Sequence, residues 1–183
     1  SPLHDERIVV INTNEPNRET IAGILEKLQA YKPQAVGVDI LFRTLKDSII
    51  DQQLAHSMKA IPNCVIASRI DNDELVQAAP LFSQEAKTGF INLQTLDGKM
   101  VRAFDLKHLI NGQKELCFAA QIARTVAPKK VSSLASQKDT RYWINYKIVG
   151  HRSNEEPNIL MLDGKDFLFD QQRDFTFLKD KIV

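Results

Sequence analysis

The chain is predicted to be an α/β protein with three layers, a largely parallel central sheet and an antiparallel hairpin portion. Three observations carry this. Residues 7–13 and 36–41 are continuous, β-branched apolar runs, as expected of strands covered on both faces. Between them Ile21, Ile24, Leu25 and Leu28 recur at i, i+3, i+4 and i+7, the spacing of one apolar helix face. Further on, Asp97-Gly98 lies between two short strand-like runs, and Gly supplies the positive φ that a tight turn needs.

Each element has its own signal. The first strand gives way to a loop at Asn14-Glu-Pro-Asn17, and Asn17 is placed to cap the helix that follows. That helix ends at Tyr31-Lys-Pro33, because proline disfavours helical geometry in the residue before it. Strand, helix and strand within about forty residues make a βαβ unit, hence a parallel pair with a right-handed crossover. Ile50, Leu54 and Met58 mark a second amphipathic helix ending near Pro62, and residues 64–67 form a third strand. Residues 71–86 read as a polar, partly helical connection broken at Pro80. Residues 89–93 and 100–106 are the two strands of the expected hairpin. Leu116, Ala119, Ala120 and Ala123 stripe a buried helix, widened by Phe118 and Ile122. Residues 124–139 read as a connection, 142–146 as a strand, 154–157 as a loop, and 163–168 as a short helix with Asp163 near its cap. No repeat, low-complexity tract or domain boundary interrupts the chain, so residues 1–183 are expected to form one domain.

Composition narrows the function. Apolar residues make up 43% and charged residues 26%, ordinary for a folded domain. The formal net charge of +1 provides no field that would favour nucleic acid or an anionic membrane. No apolar run approaches the ~20 residues that span a bilayer, and the polar start Ser1-Pro-Leu-His-Asp-Glu6 is not a signal peptide. Leu178-Lys-Asp-Lys-Ile-Val183 reads as a strand cut off after two apolar residues, so the sequence is expected to be a piece of a longer protein. Cys64 and Cys117 read as buried, reduced thiols, with a disulfide open if the domain lies outside the cytoplasm.

Much chemistry is missing. The glycines, at 23, 37, 89, 98, 112, 150 and 164, are too dispersed for a phosphate-binding loop. No nucleophile elbow occurs, and the four histidines are isolated. No catalytic residue, metal ligand or cofactor is therefore assigned.

What remains is a set of polar residues at strand ends, the edge where open α/β sheets bind ligands. Asp39 follows Ala35-Val-Gly-Val38, and a carboxylate there is costly to bury unless paired. It either accepts hydrogen bonds from a ligand amine or hydroxyl, or forms a salt bridge with Arg18 or Arg102. Asn12, Asn14 and Glu15 either form a ligand shell offering donors and acceptors or shape the turn and cap the helix. Arg18 and Arg102 either grip a carboxylate or phosphate in bidentate fashion or pair with Asp39 or Glu15. Asn92 and Asn145 either complete a pocket wall or bond loop backbone; Phe42 is either a lid or a core residue; Trp143 is expected to pack. A metal-dependent hydrolase or phosphotransfer enzyme built on Asp39 and Glu15, and a dimerisation scaffold without a ligand, are the competing readings.

The order Arg7-Ile-Val-Val-Ile, Asn14-Glu15, Ala35-Val-Gly-Val-Asp-Ile-Leu-Phe42, Gly89-Phe-Ile-Asn92, Asp97-Gly-Lys-Met-Val-Arg102, Phe118-Ala-Ala-Gln-Ile-Ala123, Ile144-Asn-Tyr146 and Leu178–Val183 resembles the CHASE type two domain, over nearly the whole chain. The resemblance implies an extracellular sensor of a bacterial membrane receptor. It also implies flanking transmembrane segments, a homodimer and a cytoplasmic kinase or cyclase output, with an unidentified small molecule as ligand. The chain departs from the family's pattern at Asn12-Thr-Asn-Glu15, where Asp-Ile-Asp-Glu is common, and at Pro16-Asn-Arg18, where Trp-Pro-Arg is common. It departs again at Ala103, where a second arginine often follows. These changes make this strand edge less acidic than usual.

Overall fold

The computed structural model describes residues 6–14, 16–95, 101–144 and 159–183. Strand β1 (Val9–Asn12) leads into helix α1 (Arg18–Tyr31), where the Asn17 side-chain oxygen accepts the Thr20 N–H at 2.8 Å. Lys32, at φ 50°, closes the helix in the left-handed region, and Pro33, which cannot continue a helix, follows it. Then come β2 (Val36–Val38), α2 (Ser48–Ala60), β3 (Cys64–Asp71), β4 (Glu74–Val76), α3 (Pro80–Ser83) and β5 (Lys87–Phe90). The second half holds β6 (Gln94–Thr95), β7 (Val101–Asp105), β8 (Lys107–Ile110), β9 (Gln113–Leu116), α4 (Phe118–Val126) and α5 (Pro128–Ser136). It closes with β10 (Arg141–Trp143), β11 (Leu160–Asp163) and α6 (Gly164–Phe169).

β1 pairs in parallel with β11, and β3 pairs in parallel with both β2 and β5. β1 and β2 are parallel but not neighbours, because residues 181–183 lie between them. Ile182 bridges Ile8 on one side and Ala35 on the other. The Val9 N–H donates to the Ile182 carbonyl at 2.9 Å and the Ile182 N–H to Arg7 at 2.8 Å. On the opposite side the Gly37 N–H donates to Val183 at 2.7 Å and the Val183 N–H to Ala35 at 3.0 Å. The spatial order is therefore β11–β1–(181–183)–β2–β3–β5, and the expected direct pairing of the first two strands gives way to this interposed segment.

Strand alternation sends side chains to two cores. Val36, Val38, Cys64 and Ile66 join the buried faces of α1, α2 and α6 in one apolar cluster. Gly37 and Gly89 point the other way, toward α4. A Cβ on Gly89 would stand 2.6 Å from the Phe118 Cα, so only glycine lets α4 lie this close to the sheet. On this side Phe90, Leu106, Leu116, Ala120, Val131 and Ala135 form the second core. Lys107, buried, and Lys114 both donate to the Ala135 carbonyl, at 2.8 and 3.0 Å, holding the C-terminal end of α5 where cations are favoured.

Several expectations are corrected. β2 stops at Val38, short of residue 41, because the Ile40 N–H turns back to the Val38 carbonyl at 2.8 Å. A hairpin does form, but β7 pairs with β6; residues 87–90 are committed to β3 instead. The Asp97-Gly98 turn lies outside the described residues. Pro80 starts α3 rather than breaking a segment, and α5 occupies what reads as a connection, with Pro128 in its first turn. Two further hairpins, β3–β4 at Asn72-Asp73 (φ 50° and 60°) and β8–β9 at Asn111-Gly112 (φ 50° and 77°), have two-residue turns with both central residues at positive φ. Trp143 does not pack: it is 70% exposed.

Candidate ligand-binding site

The polar groups predicted at the strand ends divide into those that fasten the fold and those left open. Asn12 ends β1, and its side-chain oxygen accepts the Asn14 N–H at 3.1 Å, holding Asn14 at φ 50°. Asn14 Nδ2 then donates to Asp163 Oδ2 at 2.6 Å. The other Asp163 oxygen caps α6, accepting the N–H groups of Lys165 at 2.8 Å and Asp166 at 3.2 Å. The backbone N–H groups of Asp166 and Lys165 hold the Asp163 carboxyl below its ordinary range. Asn12, Asn14 and Asp163 thus form a clip joining β1 to the start of α6.

Among the described residues Arg18 pairs not with Asp39 but with a carboxylate on α2. It forms an ion pair with Asp51, which is 1% exposed, and also donates to the Thr44 carbonyl. Asp51 further accepts the N–H groups of Lys46 at 2.7 Å and Asp47 at 3.2 Å. Burial alone would raise this carboxyl's pKa. The hydrogen bonds from Lys46, Arg18 and Asp47, together with the Arg18 charge, outweigh it, and the pKa lies below the ordinary value. The guanidinium stands 5.8 Å from the Phe42 ring centroid and 5.3 Å from that of Phe82. Phe42 itself is buried in the core against Phe82. The signal for Asp51 was present: it sits three residues before Leu54 and seven before Met58, on the apolar stripe of α2.

Asn92 is also engaged. Its side-chain oxygen accepts the Ile70 N–H and its amide donates to the Ile70 carbonyl, both at 2.8 Å. It adds one side-chain rung along β3 beyond the point where β5 ends. Arg102 is exposed on β7. Glu15 and Asn145 lie outside the described residues.

Asp39 differs from these. The sequence leaves it as either a ligand acceptor or a salt-bridge partner of Arg18 or Arg102; the structure places it exposed and away from Arg18, because β2 ends one residue earlier and the chain turns there. Among the described residues no side chain pairs with it. It stands on the rim of two cavities. One, of about 300 Å³, is walled by Phe90, Ile91, Leu93, Phe104 and Phe118, with Asn92 and Cys117 at its edge. The other, of about 640 Å³, runs between β1 and β2 and includes Asn12 and Val183. The structure therefore brings Asp39 together with Asn92 at one cavity and with Asn12 at the other, and leaves Arg18 and Phe42 out of both. An exposed carboxylate above apolar walls suits a ligand with an apolar body and a cationic or hydroxyl head. Among the described residues no three His, Cys, Asp or Glu side chains gather to hold a metal ion.

The cysteines are both free and buried, in separate cores. Burial pushes the Cys64 thiol up to about 12 and raises Cys117 as well, so neither is a ready nucleophile.

The CHASE2 domain model matches residues 5–183. The chain belongs to the CHASE2 family. CHASE2 domains are extracellular sensor domains of signalling receptors, sensory rather than catalytic. No helix among the described residues is long and apolar enough to cross a membrane. Comparison with curated proteins and with solved structures finds no match.

Proposed function

We propose that this CHASE2 domain is the periplasmic ligand-sensing domain of a bacterial transmembrane receptor, and that Asp39 anchors its ligand. Asp39 carries the reading. Among the described residues it is a strand-end carboxylate left uncommitted while Arg18, Asn14 and Asn92 are engaged, and it lines cavities with apolar walls. The ligand is a small molecule whose amine or hydroxyl donates to Asp39 and whose apolar part fills the space beside Phe90, Phe104 and Phe118. Binding shifts the balance between two arrangements of the strand edge relative to membrane-attached flanking segments, and a homodimer passes this to a cytoplasmic output domain.

A thermal-shift screen of the domain against primary amines, amino acids, polyols and carboxylates tests this. A ligand at 100 times its Kd adds ~2.7 kcal/mol, roughly 5–10 °C for a domain of this size. The expected hits are amines or alcohols, and Asp39→Asn cuts their shift to about half or less without lowering the ligand-free Tm. Hits confined to carboxylates, or unchanged by Asp39→Asn, would overturn the proposal.

A further inference from the structure

The smaller of the two cavities beside Asp39 carries a chemical selection of its own. Its walls are aromatic and aliphatic: Phe90, Phe104 and Phe118, with Ile91, Leu93 and Ile144. Among the described residues that line it, Asp39 is the one carboxylate, and there is no lysine, arginine or histidine. Asn92 uses one oxygen lone pair and one amide hydrogen on Ile70. It keeps one of each, and neither is charged. Cys117 is a neutral thiol, because burial raises its pKa.

The walls are held in place without a ligand. Phe104 stacks on Tyr142, with ring centroids 6.0 Å apart and planes at 28°. The Tyr142 hydroxyl donates to Gln137 Oε1 at 3.3 Å. Phe118 is seated on Gly37: its Cζ stands 3.0 Å from the position that a Cβ would take there. Phe90 is buried in the second core. A preformed apolar space with a few polar groups at its edge is the usual form of a small-molecule site.

Size sets the body of the ligand. An apolar protein cavity of about 150 Å³ takes up one benzene ring. A space of about 300 Å³ holds one such ring and a short arm. A flat ring also suits these walls, because aromatic pairs gain from offset or edge-on stacking beyond the area that they bury. Charge sets the head. A carboxylate on the ligand would meet Asp39 with no cationic side chain among the described lining residues to offset the repulsion of like charges. An ammonium meets an opposite charge there, and phenylalanine ring faces attract cations.

We propose that this cavity takes an arylalkylamine: one aromatic ring beside Phe90, Phe104 and Phe118, a short arm, and a protonated primary amine on Asp39, with no carboxylate of its own. Aromatic α-amino acids carry the same ring and the same amine, and are discriminated against by their carboxylate. The inference rests on the reading of Asp39 as the ligand's anchor and narrows its head from amine or hydroxyl to amine.

Calorimetric titration of the domain with 2-phenylethylamine, 2-phenylethanol and phenylalanine tests it, since the three share a ring and an arm and differ in the head. The amine is expected to bind about tenfold or more tightly than either of the others. Its affinity is expected to fall as salt is raised, while that of the alcohol holds. Asp39→Asn should bring the amine down to the level of the alcohol. Ala119→Leu places a larger side chain at the cavity, on an exposed position in the first turn of α4 where leucine is a good helix former. It should abolish amine binding and keep Tm. An alcohol or a phenylalanine that binds as tightly as the amine would overturn the proposal. So would an amine that does not bind at millimolar concentration, or one that binds Ala119→Leu unchanged. Equal binding of amine and alcohol, both weakened by Asp39→Asn, would remove the choice of head and leave the anchor standing. An amine held as tightly by Asp39→Asn as by wild type would remove the anchor itself.

Discussion

Arg18 and Asp51 form a buried pair whose removal the structure makes costly in a particular order. Asp51→Ala withdraws the acceptor from three donors: the Arg18 guanidinium and the N–H groups of Lys46 and Asp47. Among the described residues it leaves the guanidinium, beside Phe42 and Phe82, with the Thr44 carbonyl as its one remaining hydrogen-bond acceptor. Breaking one side of such a pair costs about 3–5 kcal/mol. At about 2–4 °C per kcal/mol for a domain of this length, Tm falls by roughly 6–20 °C. Arg18→Ala costs less, since Asp51 keeps its two backbone donors and sits where α2 begins. Urea unfolding of wild type, both single variants and the double variant measures this, provided the m-value holds. The double variant is expected to lose less than the sum of the singles, with a coupling of about 1–3 kcal/mol. A loss below about 1 kcal/mol for Asp51→Ala, or strict additivity, would refute the reasoning.

The same pair sets an acid limb. The Asp51 pKa is lower folded than unfolded, so its contribution is complete above the unfolded value of about 3.9 and disappears as pH falls through the lower folded value. Asp51→Asn should flatten the decline of the urea midpoint below about pH 4, without abolishing it, because the Asp163 pKa is displaced in the same direction. Gly89→Ala should destabilise by about 1–3 kcal/mol, since its Cβ meets the Phe118 backbone at 2.6 and 2.9 Å. Gly37→Ala should cost less, because its closest contact, at 2.5 Å, is the end of the Ile122 side chain; equal urea midpoints for the two variants would contradict this. Asn92→Ala should cost about 1–3 kcal/mol by orphaning the Ile70 N–H and carbonyl, visible as faster amide exchange at Ile70.

The elements that the sequence made legible are those with a strong local signal. The i, i+3, i+4 stripe of α1, the Asn17 cap and the Asp163 cap all depend on neighbours within a turn. What escaped depends on distant partners. Nothing local in Leu178–Val183 says that it enters between β1 and β2, because that placement is decided by two strands far away in sequence. Asp39 follows an apolar run, where a carboxylate is costly to bury, and the early turn at Ile40, which no local residue pattern announces, exposes it. Arg18 lies close in sequence to the strand ends, while its partner, Asp51, lies on an apolar helix stripe where a carboxylate signals a buried pair. The Asn111-Gly112 hairpin, by contrast, was written locally and went unread.

The proposed anchor of the ligand is the Asp39 carboxylate. Calorimetric titration of an amine or alcohol found by thermal shift, into wild type and Asp39→Asn at neutral pH, tests it most directly. A hydrogen bond to a charged group contributes about 1.5–3 kcal/mol, so affinity should fall by roughly 10- to 150-fold. An Asp39→Asn variant that folds normally and binds as tightly as wild type would contradict the account.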